Sequence, residues 1–219
     1  MRRILFEKTG DAVFISHLDL MRLFQRAFKR AGLPLTHSGG FTPRPQVSIA
    51  LPLSVGVESQ CELLDFDLDG QLPPMAEILD LLNQALIPGV RVLDVYQDTR
   101  KIRDLALLEC TVTLEYDNGI PGGAKDAITS LFARDALMLE KKSKNGTTEQ
   151  DIIPMIRRIS ATLLDSNTLI LRALICCQNP SLNPGQLSAA IEKELPQYRP
   201  DFVKIRRLEV FDTNEMIFR

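Results

Sequence analysis

The sequence predicts an α+β protein that runs through the order β-α-β-β-α-β twice, and three observations carry that expectation. Apolar and polar residues alternate in short runs at residues 3–8, 61–68, 89–96, 106–116 and 203–211, as half-buried strands require. Between the runs lie segments with helix-starting or helix-ending signals, at about residues 17–31, 75–86, 124–134 and 184–194. A charged stretch, Asp98-Thr99-Arg100-Lys101-Ile102-Arg103-Asp104, then separates two halves of similar element order. That order is the ferredoxin-like arrangement. The expected domains are residues 1–98 and 105–219, the second with an extra β-hairpin. The halves share element order without a clear sequence repeat.

In the first half, Arg3 to Lys8 reads as a strand with Ile4 and Phe6 on one face. After the Thr9-Gly10-Asp11 turn, Ala12 to Ile15 is a short apolar extension. Ser16 or His17 opens a helix, with Asp19 in its first turn, where a negative charge suits the macrodipole. Leu18, Met21, Phe24, Phe28 and Ala31 recur at helical spacing and are expected to face the core. Gly32 ends the helix and Pro34 blocks its continuation. Val47 to Leu53 reads as a strand, followed by a turn at Ser54-Val55-Gly56-Val57. Cys61 to Leu68 then reads as a half-exposed strand, with Leu64, Phe66 and Leu68 inward and Asp65, Asp67 and Asp69 outward. Its acidic face, Glu62, Asp65, Asp67 and Asp69, is compatible with a bound cation, but the favoured expectation is a solvated face that discourages edge pairing. Pro73-Pro74 introduces a helix through about Leu86, and Gly89 to Tyr96 closes the half.

In the second half, Ala106 to Tyr116 is a strand with Cys110, Val112 and Leu114 alternating inward. Pro121-Gly122-Gly123 leads into a helix, Leu137 to Lys142 is a strand, and Lys144-Asn145-Gly146-Thr147 is a hairpin turn. Asp151 to Ile159 reads as extended or irregular, with Asp151 anchoring a neighbouring loop. Ala161 to Leu164 and Thr168 to Cys177 make a hairpin around Asp165-Ser166-Asn167. A helix at about 184–194 and a strand from Val203 to Phe211 complete the set.

A chain of 219 residues with 45% hydrophobic and 25% charged residues has the composition of a globular protein with a substantial core. It has no apolar run approaching roughly 18 residues, so no membrane-spanning helix is expected. Met1 to Lys8 lacks the apolar core of a signal peptide, and a cytoplasmic location follows as the expectation. Cys61, Cys110, Cys176 and Cys177 form no CxxC or CxxxCxxC pattern and read as reduced, half-buried strand residues. No metal site is expected: His17 and His37 have no second ligand at helical or hairpin spacing.

The net charge of −2 hides an asymmetry: residues 1–50 carry eight Lys/Arg against three Asp/Glu, residues 51–100 two against nine. Arg22, Arg26 and Arg30 fall on one helical ridge, with Lys29 alongside. Guanidinium groups on such a ridge suit phosphate, although a solvated face would carry the same residues. The stretch Ser38-Gly39-Gly40-Phe41-Thr42-Pro43-Arg44-Pro45 follows a few residues later. Its two glycines open backbone conformations closed to other residues, and its prolines fix φ, so the loop is held in shape. The candidate phosphate or nucleic-acid site is therefore Arg22, Arg26, Arg30, Ser38, Gly39, Gly40 and Arg44, with Phe41 as a stacking surface. His17 is a weak candidate for positioning or protonating a ligand. No nucleophile elbow, phosphate-binding P-loop or dinucleotide fingerprint is present.

Lys8, Ser16-His17-Leu18-Asp19, Arg22, Arg26-Ala27, Arg30-Ala31-Gly32-Leu33-Pro34, Ser38 to Pro45, Ser48, Pro52-Leu53, Gly56 and Glu62 together resemble a known family. It is the radical-SAM-linked domain of unknown function, found beside radical SAM proteins or fused to their C-termini. The resemblance is strong over about residues 2–66 and thinner beyond. Asp151 to Ile156 is similar to a later family motif whose second isoleucine is more often arginine. Around Asn183-Pro184 and Arg206-Arg207 the family's arginine and histidine are replaced. The resemblance implies a radical SAM protein as partner, holding the iron–sulfur cluster and S-adenosylmethionine, with no cofactor in this chain. It implies an accessory or substrate-binding role, with RNA modification (tRNA or rRNA) suggested by the company such domains keep. Two other readings fit the same residues. One is a stand-alone RNA-processing or RNA-modifying enzyme using His17 or His37. The other is an interaction module in which Phe41 and the prolines dock a protein.

Overall fold

The computed structural model describes residues 2–70, 73–143 and 146–219. The chain divides into two compact units, Met1–Ile102 and Arg103–Phe218. In the first, the elements are β1 (Arg2–Lys8), α1 (His17–Arg30), β2 (Val47–Ile49), β3 (Val57–Phe66), α2 (Met75–Ala85) and β4 (Val90–Gln97). Their strands lie in the order β4-β1-β3-β2, with each neighbouring pair antiparallel. This is the split β-α-β arrangement of a ferredoxin-like unit.

The core lies on the helical face of this sheet. Ile4 and Phe6 from β1, Leu64 and Phe66 from β3, and Val92 and Val95 from β4 meet Phe24 and Phe28 of α1 and Ile78 and Leu82 of α2. Phe6 and Phe24 pack edge to face, with ring centroids 4.7 Å apart, and Phe28 leans on Phe66 at 5.0 Å. The helix buries Leu20, Phe24, Ala27 and Phe28, a spacing of i, i+4, i+7, i+8. Leu18 does not join that face; it is 66% exposed. It precedes Arg22 by four residues and so shares the arginine ridge, and Leu20 takes the core position instead.

Three further segments differ from the sequence expectation. Gly10–Phe14 is a turn of 3₁₀ helix, started by Gly10 at φ +54°. The strand expected over Val47 to Leu53 keeps only Val47–Ile49, which pair with Phe66, Asp65 and Leu64. The acidic face is solvated only in part: Glu62 and Asp65 are buried, Asp67 is half-buried, and Asp69, beyond the end of β3, is exposed. A carboxylate can be buried when a fixed cation meets it. For Asp65 that cation is Arg3, directly opposite it on β1. Lys8 is also fully buried, its ammonium donating to the carbonyls of Val13 and Ile15 at 3.1 and 2.7 Å.

The second unit contains β5 (Leu105–Glu115), α3 (Ala124–Phe132), β6 (Met138–Ser143), β7 (Gly146–Asp151), β8 (Ile156–Leu163), β9 (Thr168–Cys176), α4 (Gly185–Glu194) and β10 (Phe202–Asp212). Its sheet order is β10-β5-β9-β8, all antiparallel, with β6 and β7 as a separate hairpin. The ferredoxin-like plan thus recurs with the extra hairpin inserted after the first helix. Cys110, Val112 and Leu114 of β5 are fully buried, and α3 and α4 bury Ile128, Leu131, Leu187 and Ile191. The turn expected at Lys144-Asn145 lies outside the described residues. Asp151 Oδ1 accepts from the amides of Leu137 at 2.8 Å and Ile153 at 3.1 Å, tying the hairpin's end to its start. The irregular segment after it is a 3₁₀ turn, Ile153–Met155, and β8 already begins at Ile156. No helix among the described residues is long and apolar enough to cross a membrane.

Candidate functional site

The candidate site is built on α1 and the chain that leaves it. Ser16 caps the helix: its Oγ accepts from the Asp19 amide at 3.2 Å, and its hydroxyl donates to Asp19 Oδ2 at 2.7 Å. Asp19 Oδ1 in turn accepts from Arg22 Nη1 at 3.0 Å. The Ser16 hydroxyl, then the Arg22 guanidinium, hold the Asp19 carboxyl below its ordinary value. Arg22 is thus partly neutralised. Arg26 and Lys29 are exposed and make no ion pair or hydrogen bond among the described residues. Arg30 is engaged: its Nη2 donates to the carbonyl of Ala85 at the end of α2. A cation there also meets the negative end of the helix dipole.

The helix ends in a left-handed turn at Gly32, φ +69°, and the Leu33 amide reaches back to the Phe28 carbonyl at 2.9 Å. The next residues run beside the continuation of β3. The Thr36 amide donates to the Asp67 carbonyl at 3.0 Å, and the Asp69 amide to the Pro34 carbonyl at 2.9 Å. A narrow hairpin follows. The Gln46 amide donates to the Thr36 carbonyl at 2.7 Å, His37 bridges Pro45, and the Ser38 amide donates to the Arg44 carbonyl at 2.8 Å. Ser38 Oγ accepts from the Arg44 amide at 3.1 Å, so this serine braces the hairpin. Beyond that brace, Gly40 adopts φ +110°, open to glycine and strained for other residues. Phe41 projects fully into solvent. The amides of Gly39 and Gly40 have no hydrogen-bond partner among the described residues.

Between α1 and the hairpin's root lies a groove of about 740 Å³. Arg22, Arg26 and Lys29 form its helical wall, His37 and Pro45 the opposite one. Phe28, Leu33 and Leu35 close its base, and Gln25 and Asp69 add polar groups. A second groove of about 430 Å³ runs along the other flank of the ridge, past Ile15, Asp19, Leu23, Arg30 and Ile87, again with Arg22 and Arg26. The structure therefore brings Arg22 and Arg26 together on the divide between two grooves and leaves Arg30 on one side. Ser38, Gly39, Gly40, Phe41 and Arg44 line neither groove; they form the hairpin above its root.

His17 stands in the first turn of α1 with its Nδ1 buried and unpartnered, and it lines neither groove. His37, exposed on the larger groove, is the histidine a ligand there would meet. Gln25 and Asp69 escaped sequence reasoning. Gln25 is adjacent to the arginine ridge and was readable from helical spacing; Asp69 reaches the groove only through the pairing of the Pro34 segment with the end of β3. Two of the four thiols, Cys110 and Cys177, offer no nucleophile near neutrality. Burial pushes Cys110 up to about 12, and Cys177 likewise to about 12. Among the described residues no group of three or more His, Cys, Asp or Glu stands close enough to hold a metal ion.

These features define an α+β protein of two ferredoxin-like units, the first carrying a cationic groove beside a braced Gly/Pro hairpin. The chain belongs to the family described as "Uncharacterized protein conserved in bacteria (DUF2344)", which matches residues 2–184. No curated protein matches it. Among solved structures it is similar to a chain of the Cbf5-Nop10-Gar1 complex, with a TM-score of 0.52 at 9% identity, covering 95% of this chain and 48% of that one. A chain of the archaeal box H/ACA sRNP Nop10-Cbf5 complex matches with a TM-score of 0.44 at 11% identity, over 94% of this chain and 46% of that one. The H/ACA RNP bound to a substrate RNA containing 2'-deoxyuridine gives 0.43 at 11% identity, again over 94% and 46%. The chain spans about half the length of these neighbours. For the first of these, at 9% identity, the likeness is one of fold alone.

Proposed function

We propose that this chain is an RNA-binding accessory protein that presents substrate to a radical SAM enzyme and performs no radical chemistry itself. One observation carries the RNA half of this reading. Arg26 and Lys29, whose side chains make no ion pair or hydrogen bond among the described residues, edge a groove whose far wall leads into a hairpin bearing a fully exposed phenylalanine. Cations that follow a backbone and an aromatic face that accepts any base are the two ingredients of single-strand binding. In this reading Arg22, Arg26 and Arg44 hold phosphates, the free amides of Gly39 and Gly40 add donors, and Phe41 stacks on a base.

The radical SAM half rests on the resemblance of residues 2–66. The cysteines support placing the cluster elsewhere: they are scattered over β3, β5 and the end of β9, three are buried, and none forms a CxxxCxxC set. Such residues do not fit an iron–sulfur cluster, which supports the reading in which the cluster and S-adenosylmethionine sit on a partner.

The test is affinity of the purified chain for total tRNA and rRNA at several salt concentrations. Arg26→Ala and Arg44→Ala should each weaken binding, while Glu149→Ala, on β7, should not. Wild-type affinity no tighter than that of an acidic control protein would sink the RNA reading. A pull-down from the native cell that recovers no radical SAM protein would sink the partner.

A further inference from the structure

Resting on the RNA reading above, we infer that the larger groove takes one unpaired nucleobase and selects bases that carry an exocyclic amino group. Phosphate alone does not account for what lines this groove. Its base is apolar, with Phe28, Leu33 and Leu35 closing it. A volume of about 740 Å³ falls within the range of small-ligand sites, roughly 300–1,000 Å³. An apolar base and the apolar rings of Pro34 and Pro45 suit a planar heterocycle released from its stack.

Charge divides the groove. Arg26 and Lys29 attract phosphate along the helical wall. Asp69 repels it, yet its carboxylate has no partner among the described residues and lines the same groove as those cations. Gln25 is likewise unpartnered there. An ionised carboxylate only accepts hydrogen bonds, so the group it takes must donate. On a nucleobase held with its phosphates on the cationic wall, that donor is an exocyclic amino group, N4 of cytosine, N6 of adenine or N2 of guanine, as carboxylates elsewhere accept from cytosine N4. Uracil presents a carbonyl at the same place and would set like against like. Asp69 comes from the segment after β3 and the cations from α1, so only the folded unit assembles both halves.

The test compares three single-stranded probes of equal length and charge: oligo(C), oligo(U) and an abasic ribose-phosphate strand, by fluorescence anisotropy near pH 7.5. Oligo(C) should bind about ten-fold tighter than oligo(U), and the abasic strand should be weakest. Asp69→Ala should erase the preference for oligo(C) while retaining the salt dependence. Asp69 is exposed and its side chain unbonded, so this variant should fold, and the wild-type comparison stands without it. Equal affinity for oligo(C) and oligo(U), or a preference that survives Asp69→Ala, would overturn the inference and leave the RNA reading intact. Failure of all three probes to bind would overturn both.

Discussion

Arg3 and Asp65 face each other across β1 and β3 and are joined twice, Nε to Oδ1 at 2.7 Å and Nη2 to Oδ2 at 3.1 Å. A third bond runs from Arg3 Nη1 to Asp98 Oδ2 at 2.6 Å, beyond the end of β4. Arg3 and Asp65 are 1% and 3% exposed. Burial pulls the Arg3 pKa down, and the two carboxylates more than offset it. Removing Asp65 leaves the buried Arg3 with only Asp98 and the Arg100 carbonyl to compensate it, and breaking a buried pair costs up to about 3–5 kcal/mol. Asp65→Ala should therefore lose that much in urea unfolding; a loss under 1 kcal/mol would show that the pair is not buried in solution.

The same cluster predicts a pH dependence. Burial raises the Asp98 pKa, but hydrogen bonds from Arg100 and the charge of Arg3 outweigh it and hold the carboxyl below its ordinary value. A carboxyl lowered in the folded state contributes stability that is present above its unfolded pKa of about 3.9 and is lost as pH falls through its folded pKa. Unfolding midpoints should accordingly fall below about pH 4 in the wild type. In Asp98→Asn that fall should be shallower.

Ser16 and Asp19 make a compact cap on α1. Ser16→Ala should cost about 1 kcal/mol, the usual worth of such a cap. It should also raise the Asp19 pKa toward its ordinary value, because the Ser16 hydroxyl is the main cause of its lowering. Carboxyl titration by NMR reads this directly. An Asp19 unmoved in the variant would refute the bond.

Gly89 sits where no other residue fits. It adopts φ +83°, and a Cβ there would lie 2.5 Å from the Thr9 carbonyl oxygen and 2.9 Å from Ala12 Cβ. Its own carbonyl accepts from the Thr9 amide at 2.8 Å, so the contact cannot simply open. Backbone strain and overpacking together put the cost of Gly89→Ala at about 2–4 kcal/mol. A variant melting with the wild type would contradict the close approach.

Arg26 and Arg30 lie one helical turn apart but should respond differently. The Arg26 side chain makes no ion pair or hydrogen bond among the described residues, whereas Arg30 ties α1 to the end of α2. Arg26→Ala should reduce the slope of log affinity against log salt by about 0.7 for single-stranded RNA. Arg30→Ala should leave the slope unchanged and cost about 1 kcal/mol of stability. Interchanged outcomes would relocate the phosphate path to the smaller groove.

The sequence by itself determined the element order of both halves, because periodicity and helix-ending residues are local. Ser16, Gly32 and Pro34 bracket α1, and alternation marks β5 at Cys110, Val112 and Leu114. It also placed Arg22, Arg26 and Arg30 on one ridge, which is a property of the helix alone. Tertiary structure decided which partners those residues meet. Arg30 meets Ala85, 55 residues away, and Asp65 meets Arg3 at a separation of 62, so neither the lost cation nor the buried acid could be read from neighbours in the chain. Leu18 and Leu20 show the limit within a single helix, since both are leucines two residues apart and only the packing of the sheet chooses the inward one. The groove likewise needed the fold: Asp69 joins Arg26 there because strand pairing, with its long-range backbone bonds, carries the end of β3 back beside the residue that follows Leu33.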